Sequence, residues 1–401
     1  MQYNFDEIID RRGTNALNTD GYKGYIFGDE NIELPYGPEE YVRMWVADME
    51  FATPDFALDA IRDRLDRQIL GYTKVFDPAY YAAFSAWTEK LYGWKCEKEQ
   101  LQTSMGIIPA LYDLVAYLTK PDEKVLILTP SYAYFKHAAD RHNRTLVCSD
   151  LINDGGFYTM DLEDIRQKAA DEKTTLCIFC NPHNPTGRVW TQEELRGFMD
   201  IMVENQMWVV SDEIHCDLLR EGLVHTPLAK LYPAYSRLVT CMAPSKTFNM
   251  AGLMFSNIII PDPGLRETWK ACDYDMRNPL SIAAAQAAYE KGYDWLMQLR
   301  AYLDANFRFT AEYLAEHLPQ AVCRIPEATY LAWVDISAYF EDVTQVSLPL
   351  FFAEKAGILL EGGNMFVQNS DGYIRLNLAC PRSMLEEGLN RICKALNAEH
   401  P

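Results

Sequence analysis

Ala243-Pro244-Ser245-Lys246-Thr247-Phe248-Asn249-Met250-Ala251-Gly252 is the stretch that decides the fold. A single lysine stands there among small, hydroxyl and glycine residues, directly after the apolar run Leu238-Val239-Thr240-Cys241-Met242. That run is short, carries two β-branched residues and is stopped by a proline, so it predicts a buried strand. A lysine at the mouth of such a strand is costly, because desolvation disfavours its charged form. A lysine with a lowered pKa is a nucleophile, and an aldehyde is its natural covalent partner. A solvated loop lysine is the ordinary alternative.

Two upstream segments weigh against that alternative. Cys180-Asn181-Pro182-His183-Asn184-Pro185-Thr186-Gly187 follows the apolar run Leu176-Cys177-Ile178-Phe179. Its two Asn-Pro pairs and final glycine force a turn, and each proline restrains the asparagine before it. An asparagine fixed this way can donate a hydrogen bond in a set direction. In Val209-Val210-Ser211-Asp212-Glu213-Ile214-His215 an aspartate follows a buried strand. It lies at the carboxyl edge of the sheet, the usual ligand crevice of open α/β folds; capping the next element is its plainer role. Pyridoxal phosphate requires a lysine for its aldehyde, a carboxylate for the pyridine nitrogen and a donor for the ring oxygen. Lys246, Asp212 and Asn184 supply them after three successive strands.

These segments, with Asp10-Arg11-Arg12-Gly13-Thr14-Asn15, Met44-Trp45-Val46-Ala47-Asp48-Met49-Glu50-Phe51 and Gly71-Tyr72-Thr73, carry a resemblance. The chain resembles the fold-type I pyridoxal-phosphate enzymes of the aspartate aminotransferase superfamily. Within them it is similar to the PatB/MalY branch of cystathionine β-lyases, also called carbon–sulfur lyases. Residues 181–190, 211–218 and 243–253 match that branch almost without a gap.

The resemblance implies an α/β fold, with a mostly parallel seven-stranded sheet between helices and a smaller α+β domain. It divides the chain into an arm and part of the small domain (1–50), a large cofactor-binding domain (51–285) and a C-terminal small domain (286–401). It also implies site roles. Lys246 holds the cofactor and then takes the substrate's α-proton, while Asp212 keeps the ring nitrogen protonated. Asn184 and His215 stand at the ring oxygen, and Asn184 also reaches the substrate. Tyr132 stacks on the ring. Arg375 clamps the α-carboxylate, with the Ala47 backbone nearby. Ser245 helps to hold the phosphate, and Tyr72 reaches the partner's phosphate across a homodimer. His215 stands where aminotransferases usually carry tyrosine and the lyase branch carries histidine. Met254 stands where many relatives have a phosphate-binding arginine, and Ala133 where some have a second tyrosine after Tyr132.

The implied reaction releases a thiol, pyruvate and ammonia from L-cystathionine, cysteine or S-substituted cysteines. An aminotransferase would share every cofactor residue, and a regulatory binding protein on the same fold is a further alternative.

Several readings need no relative. Ser104-Met105-Gly106-Ile107-Ile108-Pro109 opens a helix whose Leu111, Leu114, Val115 and Leu118 share one face. Free N–H groups and the helix dipole make its start an anion site, which places the phosphate against Gly106, Ile107 and Ile108. The alternating run 372–377 carries Arg375, suited to bidentate carboxylate recognition; a salt bridge in a surface strand is the alternative. Strands are expected at 44–46, 125–128, 175–179, 207–211, 238–242, 256–260 and 329–334, and helices over 54–69 and 283–318. Thr191 caps a helix to 204 with Glu194 at its third position. Alternating strands and helices mean helices on both faces of a mostly parallel sheet.

Composition narrows the classes. The chain has 401 residues and a formal charge of −20, which argues against nucleic-acid or anionic-membrane binding. No apolar stretch reaches the roughly 18 residues of a membrane span, and the first residues lack a secretory signal. Ten cysteines lie scattered without a framework, which fits free thiols in the reducing cytoplasm. Cys177 and Cys180 with nearby His183 could suggest a metal, but positions three apart on a strand face opposite ways. No metal is expected.

Overall fold

The computed structural model describes residues 2–399. The N-terminal arm leads into a two-residue strand, β1 (Val42–Arg43), and a helix, α1 (Asp55–Leu65). Seven strands then form the central sheet: β2 (Leu101–Ser104), β3 (Lys124–Thr129), β4 (Thr145–Asp150), β5 (Thr174–Cys180), β6 (Trp208–Asp212), β7 (Leu238–Met242) and β8 (Ser256–Ile259). Their order is β2-β8-β7-β6-β5-β3-β4. The pairs from β7 to β4 are parallel, and β8 runs antiparallel to both its neighbours.

Helices cover both faces. α2 (Ile107–Leu118) turns Leu111, Leu114, Val115 and Leu118 onto Val125, Ile127, Ile178, Val210 and Val239. α3 (Gln192–Glu204) turns Leu195, Phe198 and Met199 onto Leu126, Leu128, Phe179 and Val209 on the other face. Adjacent residues of each strand thus enter different cores, as the two-residue period of a strand requires. Cys177 packs in one core and Cys180 in the other. Thr191 and Glu194 close a reciprocal capping box at the start of α3.

After β7 come the short helix α4 (Pro244–Thr247), then α5 (Pro279–Lys291) and α6 (Tyr293–His317). A second sheet contains β9 (Val322–Cys323) and β10 (Leu331–Asp335). β11 (Ile358–Leu359) instead pairs with β1, and is followed by β12 (Glu361–Gly362) and β13 (Tyr373–Asn377). The second sheet is antiparallel in the order β9-β10-β13-β12. α7 (Arg382–Glu399) ends the described chain.

Three details depart from expectation. The strand expected at 44–46 lies at Val42–Arg43. The Met44 N–H still bonds Leu359 at 2.8 Å, but side chains then take the carbonyls beyond it. Asn377 takes those of Val46 and Asp48, and Lys246 and Tyr330 share that of Ala47. The helical region 283–318 is two helices broken at Gly292, where the Phe248 ring fills the space a Cβ would need. β2 was not anticipated, because Leu101-Gln102-Thr103-Ser104 carries one aliphatic residue. It is held by its pairing with β8.

The ten cysteines are free thiols. Among the described residues no helix is long and apolar enough to cross a membrane.

Candidate active site

The parallel strands β5, β6 and β7 end at one edge, and each delivers a polar residue there. Asn184 follows β5 in the loop of two Asn-Pro bonds. Asp212 is the last residue of β6, and Lys246 lies in α4 after β7. Arg375 comes from β13 of the second sheet. All four line one cavity of ≈ 180 Å³, with Ala47, Ile107, Ile108, Tyr132, His215 and Ser245.

Burial sets the electrostatics of this cavity. It raises the Asp212 carboxyl to about 7, against the opposing Ile214 N–H and Lys246 charge. Its Oδ1 accepts from Ile214 at 3.1 Å. Burial likewise lowers the Lys246 amine, an effect opposed chiefly by Asp48. The Lys246 Nζ donates to the Ala47 carbonyl at 2.6 Å. His215 is held down at about 3 by burial, with Lys246 and Arg375 acting in the same direction, so it is a neutral imidazole at pH 7. Its Nδ1 is buried without a hydrogen-bond partner among the described residues.

Arg375 is 2 % exposed. It donates to Asn184 Oδ1 at 3.2 Å and pairs with Glu361 at 2.5 Å, while its Nε has no hydrogen-bond partner among the described residues. Because Asn184 spends its oxygen on Arg375, its amide NH₂ is left to donate elsewhere.

Gly106 caps α2 with φ +152°, a conformation L side chains rarely adopt. The first N–H groups of that helix have no intrahelical acceptor and face the cavity wall at Ile107 and Ile108. Met254 is half-exposed beside Gly106 and brings no charge. Tyr72 is not in the cavity: it is 88 % exposed on the surface.

The donor set fits a flat, anionic pyridine aldehyde. It offers a desolvated amine, a buried carboxylate with one backbone donor, an amide NH₂, an orphaned imidazole nitrogen and the open N-terminus of a helix.

Other participants had no motif to betray them. Glu361 reaches the cavity because strand register sets it opposite Arg375. Tyr25 comes from a π-helical turn, Lys23–Phe27, in the N-terminal arm that the sequence suggests is irregular. Tyr330 donates to the Ala47 carbonyl at 2.7 Å. Asp217 is buried behind the lysine segment, where it accepts from Thr247 at 2.8 Å, from Trp87 at 3.2 Å and from Tyr92. It fixes α4 from the side away from the cavity. Asn249 joins the same segment to the backbone of Met49 and Phe51.

The family model for aminotransferase class I and II matches residues 40–392. The chain is 37% identical to cystathionine β-lyase PatB of Bacillus subtilis over 98% of this chain and 100% of that protein. It is 28% identical to protein MalY of Escherichia coli over 99% of each. Among solved structures, the pyridoxal-phosphate-bound C–S lyase of Staphylococcus hominis is 50% identical with a TM-score of 0.94, over 99% of this chain and 98% of that one.

Proposed function

The chain belongs to the class I and II aminotransferase family, and on that footing we propose that it is a pyridoxal-phosphate-dependent carbon–sulfur β-lyase. Its substrates are L-cystathionine, cysteine or S-substituted cysteines, and its products are a thiol, pyruvate and ammonia. The observation that carries this reading is the convergence of Lys246, Asp212, Asn184 and Arg375 on one buried cavity. The similarity to proteins named as β-lyases sets the reaction class.

When bound, the cofactor supplies an electron sink for the carbanion left by proton removal. Lys246 is suited to hold it covalently and then to move the substrate's α-proton, because a desolvated amine is a usable base near neutral pH. Asp212 keeps a proton on the ring nitrogen through its buried negative charge. Asn184 and the neutral His215 address the ring oxygen, and Tyr132 covers the ring face. The N–H groups of Gly106, Ile107 and Ile108, with Ser245, hold the phosphate. Arg375 receives the α-carboxylate and so orients the Cα–H bond toward Lys246, with the Ala47 backbone beside it. His215 stands where aminotransferases usually carry tyrosine and where the lyase branch carries histidine, and that likeness favours the lyase reading over the transaminase.

We also propose a homodimer. Ile69, Leu70, Tyr72 and Phe76 are all at least 59 % exposed on one segment, which a second copy would cover. Tyr72 would then meet the phosphate of that copy. Residues 51–285 would carry the cofactor, with 1–50 and 286–401 closing over the substrate.

The test is product analysis. Pyruvate and thiol should form from L-cystathionine without an added keto acid, and Lys246→Ala should abolish both turnover and the visible absorbance of the bound cofactor. Strict dependence on a keto acid would instead mean a transaminase.

A further inference from the structure

Asp217 is a buried acid with no part in the chemistry derived above. It is 3 % exposed, and its side chain forms no ion pair among the described residues. Its carboxylate accepts from three uncharged donors: Trp87 Nε1 at 3.2 Å, Thr247 Oγ1 at 2.8 Å and the Tyr92 hydroxyl. The Arg300 Nε donates to its main-chain carbonyl at 2.7 Å, not to the carboxylate. Burying a carboxylate without a counter-charge is costly. What it provides is grip, because hydrogen bonds to an ionised acceptor are roughly twice as strong as neutral ones.

That grip falls on the neighbour of Lys246. Thr247 is fully buried and lies outside the cavity wall, which Ser245 and Lys246 line. α4 is only Pro244–Thr247, and a helix of one turn is marginal by itself. The aim of Lys246 therefore depends on what holds the residues beside it. Asn249 ties the far end of the segment to the backbone of Met49 and Phe51. Next to the lysine, the polar tether is Thr247 to Asp217, and the other two donors anchor Asp217 to the helix Pro78–Tyr92. We propose that Asp217 is a positioning residue, which aims the Lys246 amine by holding Thr247 and touches neither cofactor nor substrate. The inference rests on Lys246 holding the cofactor.

The test separates attachment from fit. Pyridoxal phosphate is added to the apoprotein, and the growth of visible absorbance gives the rate of covalent attachment. Pyridoxamine phosphate has nearly the same shape but no aldehyde, and its Kd from fluorescence quenching reports the site alone. In Thr247→Val, attachment and the kcat for pyruvate release from L-cystathionine should each fall about ten- to hundredfold, as for a catalytic group displaced by about 1 Å. KM and the pyridoxamine phosphate Kd should stay within about twofold of wild type. Thr247→Ala should show the same loss; it leaves room for a water to bond Asp217, which keeps the fold if valine does not. Thr247→Ser restores the hydroxyl and should restore the rates. Asp217→Asn can hold Thr247 only through a neutral bond and should fall between the serine and valine variants.

Wild-type rates in Thr247→Ala or Asp217→Asn overturn the proposal. So does a pyridoxamine phosphate Kd that weakens as much as attachment slows, since general damage to the site would do that. If the wild type releases no pyruvate, the lyase reading fails, and the attachment rates alone still decide the role of Asp217.

Discussion

Replacing Asp212 by asparagine should have two opposite effects, one on stability and one on turnover. Burial raises this carboxyl from an ordinary value of 3.8 to about 7 in the folded chain. Below pH 4 it is protonated in both folded and unfolded states and has no effect on their balance. Between pH 4 and 7 the folded form keeps a proton that the unfolded chain releases, so stability falls as pH rises. Above 7 the whole penalty is present. At about 1.4 kcal/mol per pH unit it amounts to up to about 4 kcal/mol.

Asparagine keeps the shape and can still accept the Ile214 N–H, but it carries no charge. Cofactor-free Asp212→Asn should therefore be more stable than the cofactor-free wild type by up to about 4 kcal/mol at pH 8, and by roughly half that at pH 5.5. Urea unfolding of both apoproteins at the two pH values, at one protein concentration, measures this. In the holoenzyme the same substitution removes an anion facing a ring-nitrogen cation. Such a pair is worth about 4 kcal/mol at an effective dielectric near 20, so kcat should fall about a thousandfold. An apoprotein variant no more stable than wild type at pH 8 would refute the claim that this carboxylate is held at an energetic cost until the cofactor arrives.

Arg375→Ala should raise KM by a hundredfold or more. It should also lower stability by about 3–5 kcal/mol, because Glu361 is left buried and unpaired; adding Glu361→Gln should restore part of that loss in a urea titration. Tyr72→Ala should weaken cofactor affinity in a reconstitution titration, because the side chain meets the phosphate of the second copy in the proposed dimer; unchanged affinity would remove that role. Thr191→Ala breaks the capping box of α3 and should cost about 1 kcal/mol of stability with kcat unchanged.

The residues bearing the chemistry were legible because each sits directly beyond a strand that the sequence announces. Leu238–Met242 was located to the residue, and β5 and β6 to within one or two. With the strands placed, Asn184, Asp212 and Lys246 had to meet at one edge, since parallel strands point their carboxyl ends the same way. The helix start at Gly106 was legible for a related reason: a glycine, then an amphipathic run.

Glu361 was not legible. Nothing in Leu359-Leu360-Glu361-Gly362-Gly363 marks a site, and its meaning depends on register with a strand that begins only at Tyr373. The break at Gly292 was hidden similarly, because the ring that forbids a side chain there belongs to Phe248. The misplaced strand near residue 44 shows the converse. Its pattern was strand-like, but its carbonyls were claimed by Asn377, Lys246 and Tyr330 from far along the chain.

Burial also explains why the cavity is chemically competent and why no single segment reveals that competence. It pushes Asp212 and Glu361 up and Lys246 and His215 down. In every case removal from water dominates, and that removal is the joint work of the arm, the central sheet and the second sheet. Apolar residues of similar volume at these four positions would stabilise the empty fold, since buried charges seldom repay their desolvation. Their presence around one cavity is therefore evidence about what enters it. A ligand that supplies a cation opposite Asp212, an aldehyde to Lys246, an oxygen acceptor near Asn184 and His215 and a carboxylate to Arg375 satisfies groups that the protein alone leaves unmatched. The stabilisation deferred in the empty chain becomes binding energy for that ligand, so Asp212→Asn should gain in the apoprotein what it loses in the complex.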